Sequence, residues 1–235
     1  MRYSTIIALL FLIYKSPAQT PLPAGNIDSN TKSNKPKFGV VIGSRITKLD
    51  PVFNEAGTPN ITAVTSESLW GFDLGFTSRF QVTNIFSLRP NLLLLFDGSE
   101  LYFTKKNINP QSTVEKIKVE IASLSLTIPA TFNINDKKIS PYFSLAPGYS
   151  YFIGTDEEVD KILPLKKSLF FAEAGLGLDI KLKAPDQELS VELRYSHGLN
   201  NLNKEIQTDY SLAISSLKRQ SFGLSLYLRA KKMRK

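Results

Sequence analysis

Cysteine is absent from the 235 residues, which excludes disulfide staples and thiolate metal sites. Burial and strand pairing must hold the fold. No window approaches the 18 uninterrupted apolar residues of a membrane-spanning helix, and the longest candidates, such as Asn91 to Phe96, have strand length. There is no phosphate-cradling glycine loop. The acidic run Asp156, Glu157, Glu158 and Asp160 lacks the spaced oxygens and the glycine of a calcium loop. It reads as a solvated loop.

What is present begins with an export plan. Arg2 precedes an apolar run from Ile6 to Ile13, and Ser16, Pro17 and Ala18 follow it, so residues 1–18 read as a signal peptide. Removing them takes away Arg2 and Lys15 and no acid, so the net charge falls from +8 to +6. That charge is scattered over turns and strand faces, which argues against nucleic acid as a partner. Only Arg229 to Lys235, RAKKMRK, is a true basic cluster. Residues 19–37 are rich in Pro, Asn and Ser without periodicity and read as a flexible periplasmic leader. The domain proper runs from 38 to 230, and 231–235 is a basic periplasmic tail.

The stretch from Ser168 to Leu199 sets the pattern for that domain. Ala172, Ala174, Leu176, Leu178 and Ile180 alternate with Glu173, Gly175, Gly177, Asp179 and Lys181, and KAPDQ then turns the chain into ELSVELRYSHGL. This predicts a hairpin of two-faced strands. Similar runs predict strands at 38–46, 69–80, 86–103, 120–134, 139–153 and 219–229, with Pro90 as an irregularity. Long loops are expected at 47–68, 105–116, around the acidic run, and at 200–216. Eight strands whose connections alternate long and short predict an all-β, eight-stranded antiparallel up-and-down transmembrane β-barrel.

Alternation alone does not say which face is inside, because a soluble barrel alternates too. Here the polar face is mostly Gly, Ser and Thr with isolated charges, which suits a narrow lumen. Asp73, Glu173, Asp179 and Glu192 are expected to neutralise Arg45, Arg79, Arg89, Lys181, Arg194 and Arg229 across it. Trp70, Phe80, Phe86, Phe103, Tyr142, Tyr151, Tyr195 and Tyr227 lie near strand ends, as an interfacial girdle does.

Three segments, SLSLTIPATFNI (Ser123 to Ile134), PYFSLAPGYSY (Pro141 to Tyr151) and ELRYSHGLNNL (Glu192 to Leu202), resemble the PorT-type outer-membrane β-barrel proteins of Bacteroidetes. The resemblance covers most of the exported chain. It implies an outer-membrane barrel, and some members are associated with protein secretion across that membrane. No matching position transfers such a role, and the basic C-terminus differs from that of porins.

Few residues suggest chemistry. His197, the only histidine, follows Ser196 at the outer end of its strand and would need an acid from a loop to act as a base. A rim histidine bonded to backbone is the plainer reading. Asn60-Ile61-Thr62 matches a glycosylation acceptor formally, and Gly175-Leu176-Gly177 sits where small residues relieve lumen crowding. The expectation is therefore a non-enzymatic barrel with a side-chain-filled lumen and no catalytic, cofactor or metal site. Its partners are outer-membrane lipid and a protein reached through the outer loops or the periplasmic termini. The alternative is a soluble periplasmic barrel with an apolar ligand inside; a rim hydrolase and a small pore rank below it.

Overall fold

Apolar residues in strict alternation with small polar ones favour extended chain, and each such run is strand in the computed structural model. It describes residues 36–106, 113–135, 137–155, 157–182, 187–204 and 208–231, all within the unit Asn34–Lys235. The signal peptide assigned to 1–18, the leader up to residue 35, residues 232–235 of the tail and Asp156 lie outside the described residues.

Among the described residues there are ten strands: β1 (Lys37–Phe53), β2 (Ile61–Gln81), β3 (Phe86–Leu88), β4 (Asn91–Lys105), β5 (Thr113–Thr127), β6 (Ala130–Asn133), β7 (Ile139–Thr155), β8 (Ser168–Lys181), β9 (Gln187–Gly198) and β10 (Ile214–Lys231). Two short helices, α1 (Glu157–Ile162) and α2 (Asp209–Leu212), lie in loops. β3 and β4 form one barrel strand broken at Arg89-Pro90, and β5 and β6 form another broken at Ile128-Pro129. Proline has no N–H to give the ladder, but its carbonyl still accepts. Ser78 N–H bonds Pro90 O at 2.9 Å, and Arg89 N–H bonds Pro129 O at 2.9 Å. The result is eight antiparallel barrel strands, closed where β10 pairs with β1 from Lys37↔Lys231 to Phe53↔Ile214. Closure removes the sheet edges.

The long connections are shorter than expected because the strands run on. β1 continues to Phe53 and β2 starts at Ile61, so the loop placed at 47–68 is only 54–60. β5 starts at Thr113 and β10 at Ile214. Polar Thr, Ser, Glu and Lys residues read as loop in the sequence, yet these segments are outward-facing strand above the bilayer.

The reason is an inversion along single strands. In β5 the inward residues run Ile117, Val119, Ile121, then Ser123, Ser125, Thr127, while the outward ones run Lys116, Lys118, Glu120, then Ala122, Leu124, Leu126. Both faces exchange polarity at one level without a change of phase. Below it the barrel is apolar outside and polar inside, as lipid requires; above it the order is that of a water-soluble protein. On β2 the outward belt runs from Trp70 to Phe80. Ten residue steps make about 33 Å of strand, or roughly 23 Å of height at a tilt of about 45°. That is the thickness of the hydrocarbon layer such barrels cross. Irregular pairing between Ser68 and Phe72, and between Ala122 and Ser123, marks the boundary, where bulges commonly re-aim strands.

Candidate functional site

Three interior regions follow one another along the barrel axis. Nearest the short turns, Arg79, Arg89 and Arg229 converge on Asp179 and Glu188. Arg89 Nη2 donates to Asp179 Oδ2 at 2.5 Å, and Arg79 Nη1 reaches Asp179 Oδ2 at 2.8 Å and Glu188 Oε1 at 2.6 Å. Arg229 Nη1 donates to Glu188 Oε1 at 3.0 Å, and Lys37 Nζ caps the other Glu188 oxygen at 2.8 Å. Ser190 and Asn133 take the remaining valences of Asp179, donating at 2.7 and 2.9 Å. The rings of Tyr142 and Tyr227 lie beneath the Arg89 and Arg229 guanidiniums at 4.2 and 4.8 Å.

At mid-barrel Asp73 accepts from both Arg45 and Arg194, and Arg194 also donates to Ser225. Glu173 lies 3.7 Å from Arg194 Nη1, and Ser144 donates to Glu192 at 2.5 Å. A small cavity lined by Arg45, Glu173, Arg194, Ser196, Ser221 and Gly223 has room for about one water. One layer higher, Asp97 pairs with Arg219 and accepts from Thr47 at 3.2 Å.

The third region is apolar. Leu49, Leu101, Phe103, Val119, Phe152, Leu163, Leu202 and Leu217 form a buried cluster above the charges. Here β1 and β2 part company: their pairing stops at Thr47↔Leu69, and above it β1 pairs with β10 while β2 pairs with β4. α2 bridges the two walls. Asn54 N–H bonds Ala213 O at 2.9 Å, while Tyr210 packs edge-on against Phe103 at 5.0 Å and accepts from Lys105 Nζ at 2.7 Å. Asn203 anchors this loop, donating to the carbonyls of Ser211 and Ile214 at 2.9 and 2.6 Å. The loop ends of the barrel are thereby joined over the lumen.

The buried charges among the described residues are Arg45, Arg79, Arg89, Arg194, Arg219 and Arg229 against Asp73, Asp97, Asp179, Glu173, Glu188 and Glu192. They balance one for one, and every cation is arginine, whose fork of donors serves several acceptors at once. The neutralising network expected from alternation is present, with two corrections. Lys181 is exposed at the end of β8, because the strand has left the lumen there. Glu188, Asp97 and Arg219 join the network, and each was signalled by phase: Glu188 with Ser190 and Glu192, Asp97 with Asn91, Arg219 with Ser221.

The girdle is also corrected. Trp70, Phe80, Tyr151 and Tyr195 face outward, but Phe103, Tyr142 and Tyr227 are buried inside, because their phase matches the inner face. Gly175 and Gly177 act as expected: a Cβ at 175 would meet Glu192 Oε1, and one at 177 would meet the Tyr142 ring. The apolar set of the belt, such as Phe76, Leu176, Leu193 and Leu226, is exposed on the outer wall, the reverse of the inward apolar face that a soluble ligand-binding barrel needs.

Ser196 and His197 do not combine. Ser196 Oγ lies 2.6 Å from Ser221 Oγ in the lumen, and the next residue on a strand points to the other face. Glu157, Glu158 and Asp160 are exposed on α1, and no group of metal-ligating side chains occurs among the described residues. Asn60 donates its amide to Asp209 at 3.2 Å.

A polar, charge-balanced lumen inside an apolar belt has the construction of a bacterial outer-membrane barrel. The sequence profile described as "Outer membrane protein beta-barrel domain" matches residues 28–204. The chain belongs to this family. It is a protein of the outer membrane, and by the rule for such barrels its short turns face the periplasm and its longer loops the exterior. No curated protein sequence matches it. Among solved structures it is similar to the outer membrane protein OprG from Pseudomonas aeruginosa, at 14% identity over 84% of this chain and 95% of that one, with a TM-score of 0.44. Neisserial surface protein A is similar at 13% identity over 83% and 97%, also with a TM-score of 0.44. Outer Membrane Protein W of E. coli is similar at 12% identity over 85% and 100%, with a TM-score of 0.42.

Proposed function

We propose that this barrel is a non-conducting, non-enzymatic scaffold that holds a folded outer cap at a fixed height above the bilayer and offers it to a protein partner. One observation carries the reading: the interior is occupied from the Lys37–Glu188 pair up to the cluster around Leu202. Moving an ion through would require separating buried ion pairs and opening an apolar core, each opposed by several kcal/mol. A rigid cap, by contrast, holds its exposed loops in place without ordering them anew on binding.

The likeness of Ser123–Ile134, Pro141–Tyr151 and Glu192–Leu202 to PorT-type barrels supports a setting in protein secretion or envelope structure. In that setting the barrel anchors a partner at the outer surface or through its periplasmic termini. Planar-bilayer recording tests the first half of the reading: no stepwise conductance is expected, and sustained open-channel steps would overturn it. A photo-crosslinking residue in place of Leu212, exposed on α2, tests the second half. One discrete protein adduct in whole cells is expected, and capture of lipid alone would overturn it.

A further inference from the structure

Above the apolar belt, charged side chains point outward all round the wall, but the two sides satisfy them differently. On the β2–β4–β5 side three lysines have carboxylates, Lys105 with Glu115, Lys116 with Glu100 at 2.8 Å, and Lys118 with Glu120 at 2.5 Å, while Lys106, exposed just past β4, has none among the described residues. On the β8–β10–β1 side, Lys166, Lys167 and Lys218 have no carboxylate partner among the described residues. The acids on that side are Glu157, Glu158 and Asp160 on α1, which precedes Lys166, and Asp50 on β1. Asp50 stands opposite Lys218 in the ladder, but it lies 3.9 Å from Lys48 and accepts from Gln220 at 3.3 Å.

These lysines form one strip. Lys166 N–H bonds Leu202 O and Leu202 N–H bonds Leu217 O, both at 2.8 Å, and Lys218 pairs across to β1, where Lys48 is two residues from Asp50. The strip stands directly on the belt: Lys218 and Gln220 precede outward Phe222, and Lys48 follows Ile46. That is the headgroup level of the outer leaflet. Lysines there lay their stems along apolar surface and extend their charge into the polar layer.

We propose that this strip docks the phosphate groups of an anionic outer-leaflet lipid, so that the barrel carries a preferred lipid on one side. The inference goes beyond the scaffold reading and does not depend on it. Two features select lipid over other anionic partners. The strip continues an interface already given to the membrane, and Lys166, Lys167 and Lys218 have no carboxylate partner among the described residues, while Lys105, Lys116 and Lys118 on the opposite arc each have one. Near a charged surface each such lysine adds a modest, additive attraction.

The test uses the exported chain refolded in nanodiscs of phosphatidylcholine containing lipid A, either with both phosphates or dephosphorylated, and native mass spectrometry counts the lipid retained. The phosphorylated form is expected to stay bound to the wild type and to the control K106Q/K116Q/K118Q. Retention by K166Q/K167Q/K218Q is expected to fall about tenfold or more. Both variants change outward-facing lysines, and the gel shift on heating reports that each is folded. The proposal is overturned if the two triple variants behave alike, or if dephosphorylated lipid A is retained equally. It is also overturned if inorganic phosphate displaces the lipid, or if an acidic protein binds the strip in preference to it.

Discussion

Tyr142 and Gly177 stand opposite each other in the β7–β8 ladder, and the tyrosine ring fills the volume that any side chain at 177 would need. The ring in turn lies under the Arg89 guanidinium at 4.2 Å, so the missing side chain at 177 sets the position of a charged layer. Gly177→Ala is expected to destabilise the barrel by about 1–3 kcal/mol through overpacking. Urea unfolding in lipid vesicles measures it; Tyr142→Ala in the same background should recover part of the loss.

Leu226 and Gln220 share the outward face of β10 on either side of the polarity boundary. Leu226→Arg is expected to cost about 2–4 kcal/mol if it lies near the bilayer midplane. Gln220→Arg, above the belt, should stay within about 0.5 kcal/mol of the wild type. Equal costs in vesicle unfolding would sink the placement of the membrane. Ser225, the inward neighbour of Leu226, is fully enclosed and accepts from Arg194. Ser225→Thr keeps the hydroxyl but adds a methyl to a packed lumen, and is expected to cost about 1–2 kcal/mol.

How much of this was legible in the sequence depends on whether a residue's role is set by phase or by partner. Phase gives the strand count, the faces and most of the inward arginines and acids, and Pro90 marks one break, while the break at Pro129 falls inside the strand expected at 120–134. Phase also places Tyr142 and Tyr227 inside, since both share parity with buried polar residues, whereas residue type alone favours the girdle. The strand extensions at 47–53, 61–68 and 113–119 are hidden in the sequence because the outer face, apolar within the membrane, becomes polar above it. The cap was not legible at all. Asn200, Asn201 and Asn203 look like a turn in sequence, yet their amides bond the backbones of β8, β10 and the α2 loop. Those partners are set by three-dimensional closure.

Arg219 and Asp97 are 122 positions apart in sequence and meet at the top of the charged lumen. Arg219→Met is expected to cost about 3–5 kcal/mol because it leaves Asp97 buried and uncompensated. Adding Asp97→Leu should return most of that loss, since an apolar pair would join the cluster above. A double variant as unstable as the single one would mean that the two residues are not coupled.

Tyr102 lies on the outward face above the belt, where its hydroxyl is 2.9 Å from Glu100 Oε2 and 3.0 Å from Glu67 Oε2. Its one proton serves both carboxylates. The hydrogen bond to Glu100 first, then that to Glu67, pushes its pKa up to about 12. A folded value above the unfolded one makes this contribution fully present below about pH 10. It is lost as pH rises through about 12. Tyrosinate absorbance of the folded barrel should therefore include a step at about pH 12 that Tyr102→Phe removes. An unchanged titration would place the late step elsewhere.

Asn203 tests whether the cap is a unit separate from the membrane barrel. Its amide serves the carbonyls of Ser211 and Ile214, and its oxygen accepts from Ser211 Oγ at 3.0 Å. Asn203→Leu takes one hydrogen bond from each of two buried carbonyls, at about 1–3 kcal/mol in all. Those carbonyls belong to the loop and the first residue of β10, not to the belt. The loss should therefore appear as local opening: faster amide exchange at Leu202 and Leu217, and proteolysis between β9 and β10. The gel shift on heating should stay as in the wild type, because the strands within the bilayer keep their closed ladder. If the variant loses that shift as well, the cap and the barrel fold as one cooperative unit, and the scaffold could not open its outer end without leaving the membrane fold.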